Sequence, residues 1–507
     1  MKLYKRIMCK NTLKLLLILG LFQVSCQQSN TLMITSDTTS TDKIEKIEKL
    51  VATYSKYGDF NGSILVAEAG EIIYKKGFGL ANMEWEIANQ TDTKFRIASV
   101  SKQFTAMLIM QLVAENKLDL HTPIINYLPE YPKPNGEKIT LHHLLTHTSG
   151  TPNNYASNDQ LDRIPDRQKP EDLMAQFAHL QLEFSPGEKF DYSNSGYVIL
   201  GVIIEKITGK PYKEALQDQI FKPLNMMNTG FDSHRAVLKN RATGYFKSWG
   251  EYYNANYIDM SSVYAAGGLY STVEDLFLWD QALYSEKLLP QKYLDLVFTK
   301  HIPDPGYNGH YGYGWELVSK SIGKTSEQVQ VIVHDGVIDG FCALITRIPS
   351  SKSSIILLSN ARRGALNGIT RAITGILNDK PYEFPKASIA QDFYKIILSD
   401  GIEKAMSFYK EHQDSEDYYS SEQELILAGY KLLHAGNAKD AASAFKLSTE
   451  IFPYADNPYD SYAEALMTLG KTSEAILNYE KSLSINPNNN NAVAMLKKLR
   501  NMKSSEK

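Results

Sequence analysis

The sequence predicts an α+β domain over residues 44–378, joined by a short linker (379–388) to an all-helical domain over 389–507. Three observations carry that expectation. Strand-like runs stand at both ends of the first region, Ser63–Lys76 and Val329–Leu358, with helical stretches between them, so its ends are expected to meet in one sheet. At 507 residues the chain is too long for one ordinary domain. In the last hundred residues Gly436, Ala441, Phe445 and Pro453 recur as Gly470, Ala475, Tyr479 and Pro487, each 34 positions on.

The composition is that of globular protein, with 43% hydrophobic and 22% charged residues, and a net charge of −3 gives no basis for a nucleic-acid partner. Lys2, Lys5, Arg6, Lys10 and Lys14 precede the apolar run Leu15–Phe22, which is too short to span a bilayer. Residues 1–25 therefore read as an export signal. Gln23-Val24-Ser25-Cys26 is similar to a bacterial lipoprotein cleavage site, which makes Cys26 the expected lipid anchor, with Gln23 standing where an aliphatic residue is usual. Residues 26–43 are polar and rich in Ser and Thr, and read as a tether. The implied setting is the bacterial cell envelope, on the periplasmic side. Cys342 sits in an apolar run and is expected to be a buried small hydrophobe.

Along the first domain, Ile44–Tyr57 has helical periodicity. Ser63–Glu68 and Glu71–Lys76 form a hairpin with its turn at Ala69-Gly70. A helix begins near Ser99 and runs to about Asn116, and a short one covers Leu141–Gly150. On the latter, His143 and His147 have metal-pair spacing, but no glutamate or third ligand completes a site, so packing is expected and no metal or other cofactor is assigned. Pro170–Leu180 starts with proline in its first turn, and Tyr197–Ile207 is an apolar helix stopped by Gly209. Ser271 is expected to cap a further helix, with Glu274 in the capping-box position. Val329–Val333, Phe341–Ile348 and Ser354–Leu358 read as an antiparallel meander, followed by a helix over Ala365–Leu377.

Ser99 and Lys102 are three residues apart, and on a helix such positions share a face. A serine hydroxyl needs a neighbouring base to become a nucleophile, and a desolvated lysine can be that base or can tune one. Ser40, Ser321, Ser407, Ser443 and Ser504 begin the same pattern, so spacing alone does not single out Ser99. Two further pieces do: Tyr192-Ser193-Asn194 and His334-Asp335-Gly336. In this order the three resemble the serine β-lactamase and penicillin-binding-protein superfamily, in its class C branch. Phe95–Ser99, Leu144–Gly150, Pro186-Gly187, Ala266–Leu269 and Tyr313–Trp315 also look like segments of that family.

The resemblance implies a β-lactamase/transpeptidase-like fold, an antiparallel sheet flanked by helices with a helical subdomain. It implies Ser99 as the acylated nucleophile, with Lys102 beside it. Tyr192 would be the general base, its phenol lowered by nearby cations. Asn194 would bind the substrate amide, and the N–H groups of Ser99 and Val337, the latter following Gly336, would form the oxyanion hole. His334 replaces the lysine of class C β-lactamases as substrate-binding residue. It is a weaker carboxylate anchor, which favours a peptide, peptidoglycan-like peptide or ester substrate over a β-lactam. The helical domain resembles tetratricopeptide repeats and is expected to bind a protein partner or to pack on the first domain. The competing expectation is a weakly active or inactive penicillin-binding-like sensor whose repeats act as an adaptor. An α/β-hydrolase is set aside, because no Gly-x-Ser-x-Gly elbow occurs.

Overall fold

The computed structural model describes residues 37–153, 168–362 and 364–505. The expected signal segment, Cys26 and the tether up to residue 36 lie outside the described residues. Eight strands make the main sheet. β1 (Gly62–Glu68) and β2 (Glu71–Phe78) come from near the start. β3 (Ile302–Asp304), β4 (Gly309–Tyr311), β5 (Glu316–Ser321), β6 (Gln328–Ile338), β7 (Phe341–Ile348) and β8 (Ser353–Ser359) come from near the end. They lie in the order β3-β4-β5-β6-β7-β8-β1-β2. Every neighbouring pair is antiparallel, and β1 closes the sheet by pairing with β8, Ile64 opposite Leu357. The ends of the domain thus meet as the strand patterns predict. The β1–β2 turn falls at Ala69-Gly70, with φ of 53° and 83°, the left-handed pair that a two-residue hairpin turn requires.

The helices that position the site are α1 (Asp37–Lys56), α2 (Lys102–Ala114), α3 (Leu141–Leu145), α4 (Asn194–Thr208), α5 (Val273–Ala282) and α6 (Leu366–Leu377). Alternation along β1 sends Ile64 and Val66 to one face, against Leu50 and Val51 of α1 and Ile369 and Ile373 of α6. Leu65 and Ala67 face the other way, into the larger core that holds α2 and α4. Both faces of the sheet are therefore covered. Some sequence boundaries shift. The cap of α5 is Thr272, whose side chain accepts the Asp275 N–H, one residue after the expected Ser271. The Pro170 helix ends at Ala175. The short third helix stops at Leu145, before His147.

After Ile389 every long element is a helix, from Ile389–Asp400 to Asn490–Ser505. The 34-residue interval falls on equivalent places: Gly436 and Gly470 have φ of 82° and 73°, and Ala441, Phe445, Ala475 and Tyr479 are all 0% exposed. The hairpin Tyr245–Asn254 of the first domain meets this region through Trp249, whose ring lies 5.2 Å from that of Tyr394. Lys431 sits over Trp249 at 5.7 Å.

One buried ion pair ties the sheet to α5. Arg347 of β7 donates from Nε to Asp280 at 2.6 Å, with side chains 2% and 0% exposed, and its guanidinium lies 4.5 Å from the Tyr284 ring centroid. Burial pushes the Asp280 carboxyl up, and Arg347 opposes that shift. Arg347→Met removes the counter-charge while leaving the carboxylate buried. It is expected to destabilise the domain by about 3–5 kcal/mol, read as a lower urea midpoint with unchanged slope.

Candidate active site

Ser99 lies in a tight 3-10 turn, Ala98–Ser101, that runs directly into α2. Ala98 has φ of 46°, an uncommon value for a residue with a side chain, and the surrounding contacts hold it there. The preceding Phe95-Arg96 pairs with Tyr270-Ser271, and Ile97 N–H reaches the Leu269 carbonyl at 3.0 Å. From the other side β6 comes unusually near. A Cβ at Gly336 would stand 2.2 Å from the Ile97 oxygen and 3.0 Å from the Ser99 nitrogen, so only glycine fits.

Lys102 is 0% exposed. Its Nζ donates to Ser99 Oγ at 3.1 Å, to Asn194 Oδ1 at 2.7 Å and to the Ala266 carbonyl at 2.8 Å. Burial holds its pKa well below the usual lysine range, against a smaller upward pull from Asp335. The same nitrogen stands 4.8 Å from the Tyr192 ring centroid. Asn194 opens α4, and its N–H donates to Asn153 Oδ1 at 3.2 Å.

Tyr192 corrects one expectation. Its phenol is held well above the usual range, because desolvation outweighs the hydrogen bond with Ser99, and Tyr197, Asp335 and Glu316 add to the rise. The expected lowering by cations does not occur. Lys102 faces the ring, and its three donors are directed to Ser99, Asn194 and Ala266.

His334 is also placed differently from a substrate anchor. It is 1% exposed, and its Nδ1 donates to the Asp335 carbonyl at 2.6 Å. That leaves Nε2 to accept from the Tyr311 hydroxyl at 2.9 Å. Burial lowers it from 6.5 to about 4, so the ring is neutral at physiological pH, with both nitrogens engaged inside the protein. Glu316, His334 and Asp335 bring three metal-capable groups within 4.8 Å of one another. Glu316 is 2% exposed, and burial, with Asp335 and Asp304, raises it from 4.5 to about 9.

A cavity of about 150 Å³ opens beside Ser99 and Asn194. Ile258, Val263, Val337 and Ile338 give it apolar walls, and Asp339 is the one charged residue among the described residues on its lining. The cavity therefore brings together Ser99, Asn194 and Val337, while Lys102 and Gly336 lie behind it. The two histidines considered as a metal pair are separated in task. His143 Nδ1 accepts the Thr140 N–H at 3.2 Å, closing the cap of α3, whereas His147 packs on Tyr192. Glu205 of α4 accepts the Tyr212 N–H at 2.7 Å. His147 and Tyr311 escaped the sequence reading as site residues. The signals near them were the family-like segment Leu144–Gly150, which contains His147, and Tyr313–Trp315, which begins two residues after Tyr311.

The Beta-lactamase family pattern matches residues 47–375. PbpX of Bacillus subtilis (strain 168) is 33% identical over 332 residues, which is 65% of this chain and 78% of that protein. The octameric penicillin-binding protein homologue of Pyrococcus abyssi superposes with a TM-score of 0.60 at 28% identity, covering 70% of this chain and 81% of that one. The D-amino acid amidase of Ochrobactrum anthropi SV3, solved with D-phenylalanine, gives a TM-score of 0.58 at 25% identity over 67% of this chain and 99% of its own.

Two outcomes follow from the geometry. Gly336→Ala forces β6 away from Ser99 and is expected to lower turnover by about a hundredfold, measured on any ester the wild type cleaves. For Glu316 the folded protein keeps a proton that the unfolded chain releases above pH 4.5. The resulting stability is full below that value and is lost as pH rises towards about 9. Glu316→Gln is expected to gain on the wild type progressively over that interval, with no gain at its acid end, in thermal melts across pH.

Proposed function

The chain belongs to the β-lactamase family, and from that premise we propose that it is an exported serine hydrolase that cleaves small D-amino-acid amides, peptides or esters through an acyl-enzyme. The observation that carries this is the Lys102 amino nitrogen buried between Ser99 Oγ and Asn194 Oδ1, with Tyr192 against it. Ser99 attacks the carbonyl carbon, forming the C–O bond. Its proton enters the Lys102–Tyr192 pair, with the Lys102 amine, which burial disposes to the neutral form, as the acceptor and Tyr192 as the relay. The pair then passes the proton to the leaving amine or alcohol as the scissile bond breaks. Water adds in the second half, giving up its proton by the same route. The oxyanion is assigned to the N–H groups of Ser99 and Val337, residues that border one cavity. Each such donor is worth about 3 kcal/mol of transition-state stabilisation. The Asn194 Nδ2 group is left to hold the substrate amide.

Specificity follows from charge. A carboxypeptidase or a β-lactamase must hold a substrate carboxylate. Here His334 is buried and engaged by Tyr311 and the Asp335 carbonyl, and no lysine or arginine is among the described residues that line the cavity. An uncharged or amine-bearing substrate suits it better, in keeping with the likeness to a D-amino acid amidase.

The N-terminal pattern, with its basic residues, apolar run and Cys26, supports a lipoprotein of the bacterial envelope facing the periplasm. The helices after Ile389 fit tetratricopeptide repeats by their 34-residue interval, and the Trp249–Tyr394 contact supports a module that packs on the hydrolase as well as offering a surface for a protein partner.

The test is hydrolysis by the purified chain of D-phenylalanine amide, a p-nitrophenyl acyl ester and a peptide ending in D-alanyl-D-alanine. Turnover of the amide and the ester above that of the peptide is expected. Ser99→Ala should abolish it, and Tyr192→Phe should lower kcat by about 10²–10⁴-fold. Equal rates for wild type and Ser99→Ala would remove the acyl-enzyme reading. A preference for the carboxylate-bearing peptide would remove the charge argument.

A further inference from the structure

His147 is 1% exposed and holds Tyr192 from three directions. Its carbonyl accepts the N–H of Asp191, the residue before, at 2.9 Å. Its Nδ1 accepts the N–H of Ser193, the residue after, at 3.0 Å. Its ring lies against the phenol ring with centroids 4.2 Å apart and planes inclined by 30°. To make all three contacts its backbone takes a left-handed φ of 57°, just beyond the end of α3.

We propose that His147 is a positioning residue that fixes Tyr192 for its proton transfer; this rests on the reading of Tyr192 as a proton carrier. The side chain is better suited to that task than to packing. Because Nδ1 accepts, the ring proton resides on Nε2, and among the described residues Nε2 has no hydrogen-bond partner. A buried donor left unpaired is costly, and a phenylalanine would fill the space without one. What phenylalanine lacks is the acceptor for Ser193. That residue also caps α4: its Oγ accepts the Gly196 N–H and donates to the Thr151 carbonyl at 3.1 Å. The His147–Ser193 bond therefore joins the base to the start of the helix that carries Asn194, the partner of Lys102. Asn153 completes the frame, donating from Nδ2 to the Tyr192 carbonyl at 3.2 Å. Release of Ser193 would let the phenol drift relative to Ser99, and a shift of about 1 Å costs about a hundredfold in rate.

The experiment compares His147→Phe, His147→Asn, His147→Gln and Tyr192→Phe in the full-length chain, with kcat, KM and melting temperature measured for each. Asparagine can place its side-chain oxygen where Nδ1 stood, whereas glutamine reaches the Nε2 position. The expected result is kcat lowered by about a hundredfold in His147→Phe and His147→Gln, with KM unchanged, and recovery to within about tenfold in His147→Asn. A wild-type kcat in His147→Phe, where Tyr192→Phe is inactive, overturns the proposal and leaves the reading of Tyr192 standing. Equal loss in all three His147 variants, in step with lowered melting temperature, assigns the residue to structure alone and also overturns it. Full activity of Tyr192→Phe would instead remove the reading on which the proposal rests. If His147→Phe does not fold, the asparagine–glutamine contrast decides.

Discussion

The rest of the site depends on one buried amino group. Lys102 has no solvent to hydrate it, so its Nζ must find acceptors within the protein, and it finds three from three separate segments. Ser99 comes from its own turn, Asn194 from the start of α4 and the Ala266 carbonyl from the turn Tyr264–Gly267. That requirement explains several distant choices. Gly201 lets α4 approach the turn closely, since a Cβ there would fall 2.4 Å from Tyr264 Cε1. Thr105, one helical turn beyond Lys102, donates to the neighbouring Ala265 carbonyl at 2.7 Å and fixes the same turn. The sheet contributes from the opposite side through Gly336. Ser99, Asn194 and the cavity wall are thus located by the needs of a single nitrogen.

The same burial sets the electrostatics. It pushes Lys102 down and Tyr192 up, so each neutral form is favoured and neither residue alone is a permanent charge centre. A lysine lowered in this way accepts a proton more gently than a free amine, and a tyrosine raised in this way releases one only when a partner takes it. Coupling the two therefore lowers the cost that either would bear alone. Bringing a lone phenol from about pKa 10 to about 7 would demand about 4 kcal/mol of specific stabilisation, and nothing around the Tyr192 oxygen supplies it. Glu316, raised to about 9, keeps a further negative charge away from this pair at neutral pH.

Much of the fold was legible in the sequence because its signals are local or periodic. The hairpin at Ala69-Gly70, the meander β6–β8 and the stop of α4 at Gly209 each rest on a few adjacent residues. The Ser99–Lys102 juxtaposition was legible for the same reason, since helical geometry alone places i and i+3 on one face. What escaped were properties created by tertiary burial. The pKa direction of Tyr192 depends on Tyr197, Asp335 and Glu316, which no spacing rule brings together. The engagement of His334 depends on Tyr311, 23 positions away on another strand. His147 was read with His143 on one helix, but the helix ends two residues earlier, and the left-handed turn sends the ring to Tyr192.

The third motif shows how a strand position can reset specificity without touching the nucleophile. A lysine at 334 would carry a permanent charge and would need acceptors of its own beside Lys102, whose field already lowers the group at this place. Histidine resolves that conflict by staying neutral. It takes a proton donor from Tyr311 and gives its own proton to the next carbonyl. The cost is the loss of a carboxylate anchor. Asp335 follows it in the strand, and no lysine or arginine is among the described residues that line the cavity. A substrate carboxylate entering there meets no cation from those residues, while an amine or a neutral amide needs none. On the proposed reading, the residue that spares the buried Lys102–Tyr192 pair a second cation is the same one that turns the cleft away from anionic substrates.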